Sequence, residues 1–195
     1  MTTVPMAQVP HSAVPRHQCL VYSGSPNRQL AGLALHIRKK LAANFRCLYL
    51  HNPDMVTGIR AYLTSSGLDV SAAIVQGRLI LSSDQSHLVN DAFDHHRMLV
   101  LLKDTHDRAL ADGYAGLFAT GDMAWEFGPA ADYSKLADYE RALDAFFHVH
   151  PTMHGVCQYH EDVMPGEAVE VAHIVHPGIY VDETLSRSNP RYVPV

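Results

Sequence analysis

The chain has 195 residues, 47% of them apolar and 18% charged, and a net charge of −5 at neutral pH. That is enough chain to bury one sizeable core, and the acidic balance argues against broad electrostatic binding to nucleic acid or to an anionic membrane surface. No apolar run approaches the roughly 18 residues of a membrane span, and three cysteines without CxxC spacing predict reduced thiols in a cytoplasmic protein.

Residues 1–16 carry Pro5, Pro10 and Pro15. Proline removes a backbone donor and blocks helix, so this stretch reads as a flexible N-terminal arm. It lacks the charged start and apolar run of a signal peptide. A single domain is expected over residues 17–192. It opens with Cys19-Leu20-Val21-Tyr22 as a buried strand and a turn, SGSPNRQ. A helix follows, with Leu30, Leu33, Ala34, Ile37 and Leu41 on one face and Arg38, Lys39 and Lys40 off it. RCLYL is a second strand. A helix then starts near Pro53-Asp54 and stops at Gly67. RLILSS is a third strand. Residues 94–112 form a long helix with Met98, Leu101, Leu102 and Ala109 inward and Gly113 at its end. YAGLFATGD is a fourth strand, and YSKLADYERALDAFF a helix with Leu136, Tyr139, Leu143, Phe146 and Phe147 at helical spacing. MHGVCQYH is a fifth strand, a short helix follows Pro165, GIYVD is a last strand, and SRSNPRYVPV reads as a tail.

Strand and helix thus alternate about five times, and the strands are short and apolar without polar alternation. Both features predict an α/β domain whose mostly parallel sheet is buried between helices. Such sheets place ligands at the carboxyl ends of their strands. The rule singles out Tyr22 to Arg28, His51 and Asn52, Ser82 to Asp84, Thr120 to Trp125, and Gln158 to His160. The first of these segments has the order strand, glycine-bearing loop, helix of a phosphate-binding P-loop. It lacks the GxxxxGK[ST] spelling: Gly24 is its one glycine, and no Lys-Ser/Thr pair follows.

HQCLVY, GLDV, GYAGLFATGDMAW, YERAL, VCQYH and NPRY together resemble the pattern of the MEDS family, the methanogen/methylotroph DcmR sensory domain. The resemblance covers roughly residues 17–192, and GYAGLFATGDMAW with CQY at its distance is the most specific part. It implies a RecA/KaiC-like three-layer sandwich with a degenerate P-loop, in which Asn27, Arg28 and Gln29 stand where Gly-Lys-Ser/Thr would. It also implies a sensory role without ATPase activity, a small-molecule ligand that is apolar or a one-carbon or hydrocarbon derivative, and a setting beside helix-turn-helix or histidine-kinase modules. The chain leaves no residues for such an output module, so the expectation is signalling through a regulatory partner protein or a homo-oligomer, with no direct nucleic-acid or membrane contact. No cofactor is named by the sequence.

Tyr22, Asn27, Arg28, Asp122, Trp125, Gln158 and Tyr159 are the expected ligand-binding residues, and Tyr22, Asn27, Asp122, Trp125 and Tyr159 are expected to converge on one cavity. Arg28 is either an exposed first-turn residue or an anion contact at a helix N-terminus. Asp122 either caps the turn after its strand or accepts bonds from a ligand's polar end. Trp125 is either a core anchor or an aromatic wall. Cys157 sits in an apolar run and reads as a buried, unreactive thiol. Glu140 is a paired buried acid or a site residue, and His17, before the first strand, has a structural role. Among 14 histidines, His148, His150 and His154 cluster around Pro151 between a helix and a strand. The HxH spacing can serve a metal, but it matches no specific site, and no catalytic or metal-ligating residue is assigned. Three readings remain open: a ligand-binding sensor, a protein-interaction module in a kinase or transcription-regulator pathway, and a metal- or cofactor-dependent enzyme.

Overall fold

A computed structural model of the chain describes residues 15–194 and confirms the alternating α/β order. β1 (His17–Tyr22) leads through a 3₁₀ turn, Pro26–Gln29, into α1 (Leu30–Ala42) and β2 (Phe45–Leu50). α2 (Pro53–Ser65), α3 (Val70–Val75) and β3 (Leu79–Ser82) follow, then a small hairpin of β4 (Leu88–Val89) and β5 (Ala92–Phe93). α4 (His95–Ala111), β6 (Gly116–Asp122), α5 (Met123–Glu126), α6 (Leu136–Val149), β7 (Met153–His160), α7 (Gly166–Val175), β8 (Gly178–Tyr180) and β9 (Ser186–Ser188) complete it. Except for Pro15 and Arg16, the expected arm of residues 1–16 lies outside the described residues.

One seven-stranded sheet has the order β3-β2-β6-β7-β1-β8-β9, and every neighbouring pair is parallel except β8 and β9. β6 is buried along all seven residues, which is why its sequence shows no polar alternation. α1, α2 and α3 cover one face around Leu33, Ile37, Tyr49, Ile59 and Phe118. α4, α6 and α7 cover the other around Met98, Leu102, Leu143, Phe147 and Cys157. The order matters for function because β7 lies between β1 and β6, so the loops after β1 and β6 face each other across one strand.

Five short elements escape the sequence reading. α3 has six residues, too few for a helical period, and forms because the Asp69 carboxylate accepts the Ala72 N–H at 2.8 Å. The β4–β5 turn holds Asn90 and Asp91 at positive φ, 51° and 62°, the backbone of a two-residue hairpin. α5 is a single turn. β9 occupies the stretch read as a tail, folded back by a turn in which Asp182 Oδ1 accepts the N–H groups of Thr184 and Leu185.

The parallel pairing of β6 and β7 leaves no room at Gly116, where a Cβ would lie 2.0 Å from the Thr152 carbonyl oxygen and 2.9 Å from the Phe45 ring. Gly116→Ala should therefore destabilise the fold by about 1–3 kcal/mol, the usual cost of overpacking. At Gly166, the first residue of α7, a Cβ would meet nothing within 4 Å. Gly166→Ala should be neutral or stabilising by up to about 1 kcal/mol, because it restricts the unfolded chain. Urea unfolding midpoints of the two variants check both signs.

Candidate functional site

The parallel strands bring four polar side chains together at their carboxyl ends. The Tyr22 hydroxyl, at the end of β1, donates to Asp122 Oδ2 at 2.8 Å across β7. The other Asp122 oxygen accepts the Trp125 N–H at 2.9 Å and so caps α5. His160, beside Tyr22 in register, stacks on its ring at 4.7 Å and donates from Nε2 to the Gly24 carbonyl at 2.9 Å. His51, just past β2, accepts the Asn52 N–H on Nδ1 at 2.8 Å. That fixes the proton of the neutral ring on Nε2, which lies 3.9 Å from Asp122 Oδ2 and has no hydrogen-bond partner among the described residues. The buried Tyr49 hydroxyl also lacks one. Burial lowers the His51 pKa, with Asp122 opposing it. Burial, reinforced by Asp122, raises both tyrosine hydroxyls, so at neutral pH Asp122 faces neutral donors.

Beside this group a crevice of about 240 Å³ opens at the end of β1, against the β8–β9 connection. Tyr22, Arg28 and Gln29 form one wall, and Tyr180, Asp182 and Glu183 the other. Gln29 is buried at the turn before α1, and its Oε1 is without a partner among the described residues. The connection is pressed onto α1 at Gly32, where a Cβ would lie 2.3 Å from the Glu183 carbonyl oxygen.

The seven expected site residues do not share one cavity. Tyr22 and Arg28 line the crevice, with Arg28 exposed, and Asp122 stands directly behind Tyr22. Asn27 is exposed on the 3₁₀ turn and is not part of the crevice wall. Trp125 is half-buried, its ring 6.4 Å from His51 and 6.0 Å from His87. Gln158 is buried and donates to Thr120 Oγ1 at 2.9 Å within the sheet face. Tyr159 corrects the expected convergence outright. Neighbouring residues of a strand point to opposite faces, so with Gln158 on the Tyr22 side Tyr159 must point to the α6–α7 side. There it lies fully buried and donates its hydroxyl to Glu140 Oε1.

That second layer contains the densest chemistry in the described chain. His17 (start of β1), Glu140 (α6), Cys157 (β7) and His176 (just past α7) are all buried, and one ligating atom from each lies within 4.8 Å of the others. Glu140 Oε2 is 3.4 Å from His17 Nε2, 3.3 Å from His176 Nε2 and 3.9 Å from Cys157 Sγ. His17 Nδ1–H donates to Asp144 Oδ1 at 3.1 Å, and His176 Nδ1–H donates to the Ala172 carbonyl at 2.9 Å. Asp144 also accepts from the Tyr192 hydroxyl at 2.6 Å. Burial disfavours charge on Glu140, but His176 and His17 override it and hold the carboxyl well below its usual range. Burial likewise opposes charge on His17, yet Asp144 and Glu140 raise its pKa. Burial pushes the Cys157 thiol up, with Glu140 and Glu126 adding to it. His176 is lowered by burial and by His17. Sequence reasoning treated His17, Glu140, Cys157 and Tyr159 one at a time and did not connect His176 with them. Their shared face follows from strand parity, since Cys157 and Tyr159 alternate in β7 as His17 and Cys19 do in β1.

His148, His150 and His154 take no part in this group. His148 is exposed, His150 packs on Phe146 at 4.3 Å, and His154 lies edge-on to Phe45 at 5.1 Å. Burial, with Lys40 and Arg16 adding to it, lowers the His154 pKa from 6.5 to about 4. Its folded value lies below its unfolded one, so the unfolded chain takes up the proton first. The stability it contributes at neutral pH is lost as pH falls from 6.5 toward 4. In a pH series of thermal unfolding, His154→Gln should show a shallower decline across that window than the parent chain.

The comparison with known families agrees with this placement. A family model described as MEDS, MEthanogen/methylotroph, DcmR Sensory domain, matches residues 16–177. The matched segment begins just before His17 and ends just after His176, so it encloses the four buried residues and the Tyr22–Gln29 wall of the crevice, while the opposite wall, Tyr180 to Glu183, lies beyond it. No curated protein matches the chain. The chain belongs to the MEDS family of sensory domains.

Proposed function

We propose that the chain is a small-molecule-binding sensory domain whose ligand seats in the crevice at the end of β1, and that it has no ATPase activity. One observation carries the reading. Tyr22 forms the crevice wall and at the same time hydrogen-bonds to Asp122, which caps the turn bearing Trp125. A ligand that engages or displaces the Tyr22 hydroxyl therefore alters the bond that fixes the loop after β6. Gln29 Oε1, buried at the crevice without a partner, and the exposed Arg28 guanidinium supply an acceptor and a cation for a polar or anionic end. The volume of about 240 Å³ suits a small molecule of a few carbon atoms, below the usual range for drug-sized ligands.

The Ser23–Gln29 turn reads as a nucleotide-binding loop that has lost its phosphate grip. No lysine stands there to neutralise β- and γ-phosphate. Asp122, the acid placed where a metal-holding carboxylate would sit, already has both oxygens engaged. The signal passes to a regulatory protein partner through the lip of the crevice, residues 181–185, where Val181 and Leu185 are 49% and 59% exposed. No helix among the described residues is long and apolar enough to cross a membrane.

Two measurements test the reading. Calorimetric titration with ATP and magnesium should show no saturable heat in the micromolar range; magnesium-dependent binding there would refute the dead nucleotide site. A panel of one- to four-carbon alcohols, aldehydes, amines and carboxylates should contain at least one compound that raises the thermal midpoint in a saturable way. Tyr22→Phe and Gln29→Ala should weaken that effect by about tenfold, equivalent to roughly 1.4 kcal/mol, the scale of a hydrogen bond. If no compound stabilises the chain and native mass spectrometry finds only the bare mass, the ligand-binding reading fails.

A further inference from the structure

The buried layer behind the sheet poses a problem of lone pairs. Asp144 Oδ1 and the Ala172 carbonyl oxygen can only accept, so the bonds at His17 Nδ1 and His176 Nδ1 place a proton on each of those nitrogens. Each neutral imidazole then aims the lone pair of Nε2 at Glu140 Oε2, at 3.4 and 3.3 Å. Protonating His17 relieves one of these clashes. His176 Nε2 still has no hydrogen-bond partner among the described residues, although it is fully buried and points at the centre of the group. Four electron-rich atoms surround one point, and no donor within the group satisfies the fourth.

We propose that His17, Glu140, Cys157 and His176 bind a single zinc ion in a closed, tetrahedral site. With metal–nitrogen and metal–oxygen distances of about 2.0 Å and a metal–sulfur distance of about 2.3 Å, the edges of such a tetrahedron are about 3.3 Å, and about 3.5 Å to sulfur. Glu140 Oε2 lies 3.4 and 3.3 Å from the two imidazole nitrogens, and Cys157 Sγ lies 3.8 Å from His17 Nε2 and 3.9 Å from Glu140 Oε2; the two remaining edges, from His176 Nε2 to His17 Nε2 and to Cys157 Sγ, stay within 4.8 Å, so the His176 ring closes in when the ion binds. The ligand types, two imidazoles, one thiolate and one carboxylate, suit zinc and exclude the harder magnesium and calcium.

The loaded group is also balanced in charge. A divalent ion with one thiolate, one carboxylate and two neutral imidazoles sums to zero, which a fully buried site needs. Loading a site with His17 protonated and Cys157 as thiol releases two protons, one from each. The outer partners are those that orient metal ligands: a carboxylate on His17, a backbone carbonyl on His176, and a tyrosine hydroxyl on the free oxygen of Glu140. All four positions are filled by the protein, so the ion joins β1, α6, β7 and the segment after α7, and leaves no place for substrate.

The test uses the full chain after dialysis against a chelator, titrated with cobalt(II) as a spectroscopic stand-in. One equivalent should bind with a near-ultraviolet thiolate-to-cobalt charge-transfer band, be displaced by zinc, and raise the thermal midpoint. Cys157→Ser should abolish the band, and Cys157→Ser and His176→Ala should each weaken cobalt binding at least tenfold. His148→Ala, on the exposed cluster, should bind like the parent chain. If the chelator-treated chain unfolds, the zinc content of the untreated protein decides: one equivalent supports the site and none refutes it. A folded chain that takes up no cobalt, or takes it up without the band, or is weakened equally by His148→Ala, overturns the proposal. None of these readouts depends on the crevice ligand, so failure here leaves the response of Tyr22→Phe to the small-molecule panel unaffected.

Discussion

The carboxylate of Glu140 is the constraint around which the second half of the molecule is arranged. It is 0% exposed, and an isolated ionised carboxylate in such a place is prohibitively costly. It therefore has to be matched by positive charge and donors from elsewhere, and each match recruits a different element. His17 comes from the start of β1 and Tyr159 and Cys157 from β7, while His176, from the residue after α7, faces the same oxygen with an unpartnered ring nitrogen. Removing any one leaves the carboxylate short of a partner, and truncating one member of a buried charged network costs far more than a typical surface ion pair. The packing of α6 and α7 against the sheet is thus specified by polar chemistry as well as by Leu143, Phe147 and Ala172.

A second buried carboxyl sharpens the point. Glu126, in the one-turn helix after β6, is 3% exposed, and its Oε2 has no partner among the described residues. Burial first, then Glu140 and Asp122, push its pKa well above the usual carboxyl range. Asp122, Glu126 and Glu140 thus form a series running from the strand ends into the buried layer. The first is satisfied by the Tyr22 hydroxyl and a backbone N–H, the second is pushed toward its neutral form by burial, and the third is held by His17 and the Tyr159 hydroxyl. Glu126 borders an interior space of about 30 Å³ lined mainly by Leu102, Leu143, Phe147 and Cys157, an apolar surrounding that gives its free oxygen no partner.

Most of the fold was legible because its signals are periodic and local. The apolar runs of β1, β2, β6 and β7, the amphipathic faces of α1, α4 and α6, and Gly113 at φ +83° ending α4 all announce themselves within a window of a few residues. What was missed was short: α3 depends on one Asp69 cap, and β9 exists only because Asp182 turns the chain back onto β8. The candidate site was legible in position and not in composition. The strand-end rule found Tyr22, Arg28 and Asp122, but it counts residues near an end without counting faces, and so it merged Gln158 with Tyr159. The buried group was out of reach for a different reason. Its members are separated by up to 159 positions, from His17 to His176, and each has an ordinary explanation alone; convergence is a property of sheet order and helix packing.

β1 joins the two layers. Its residues alternate, with His17 and Cys19 facing α6 and α7, and Leu20 and Tyr22 facing the α1 side. His17 at one end is gripped by Asp144 and Glu140, and Tyr22 at the other by Asp122 and His160. A six-residue strand spans about 17 Å and, paired in parallel on both sides, cannot slide without breaking register with β7 and β8. Whatever holds His17 in place therefore also fixes where the Tyr22 hydroxyl sits in the crevice wall. If the crevice is the receptor surface proposed above, that surface is one end of a strand whose other end is anchored in a buried polar cluster. On that proposal the response is confined to the Asp122 cap bonded to Tyr22 and to the lip across the crevice, while the paired strands stay in register.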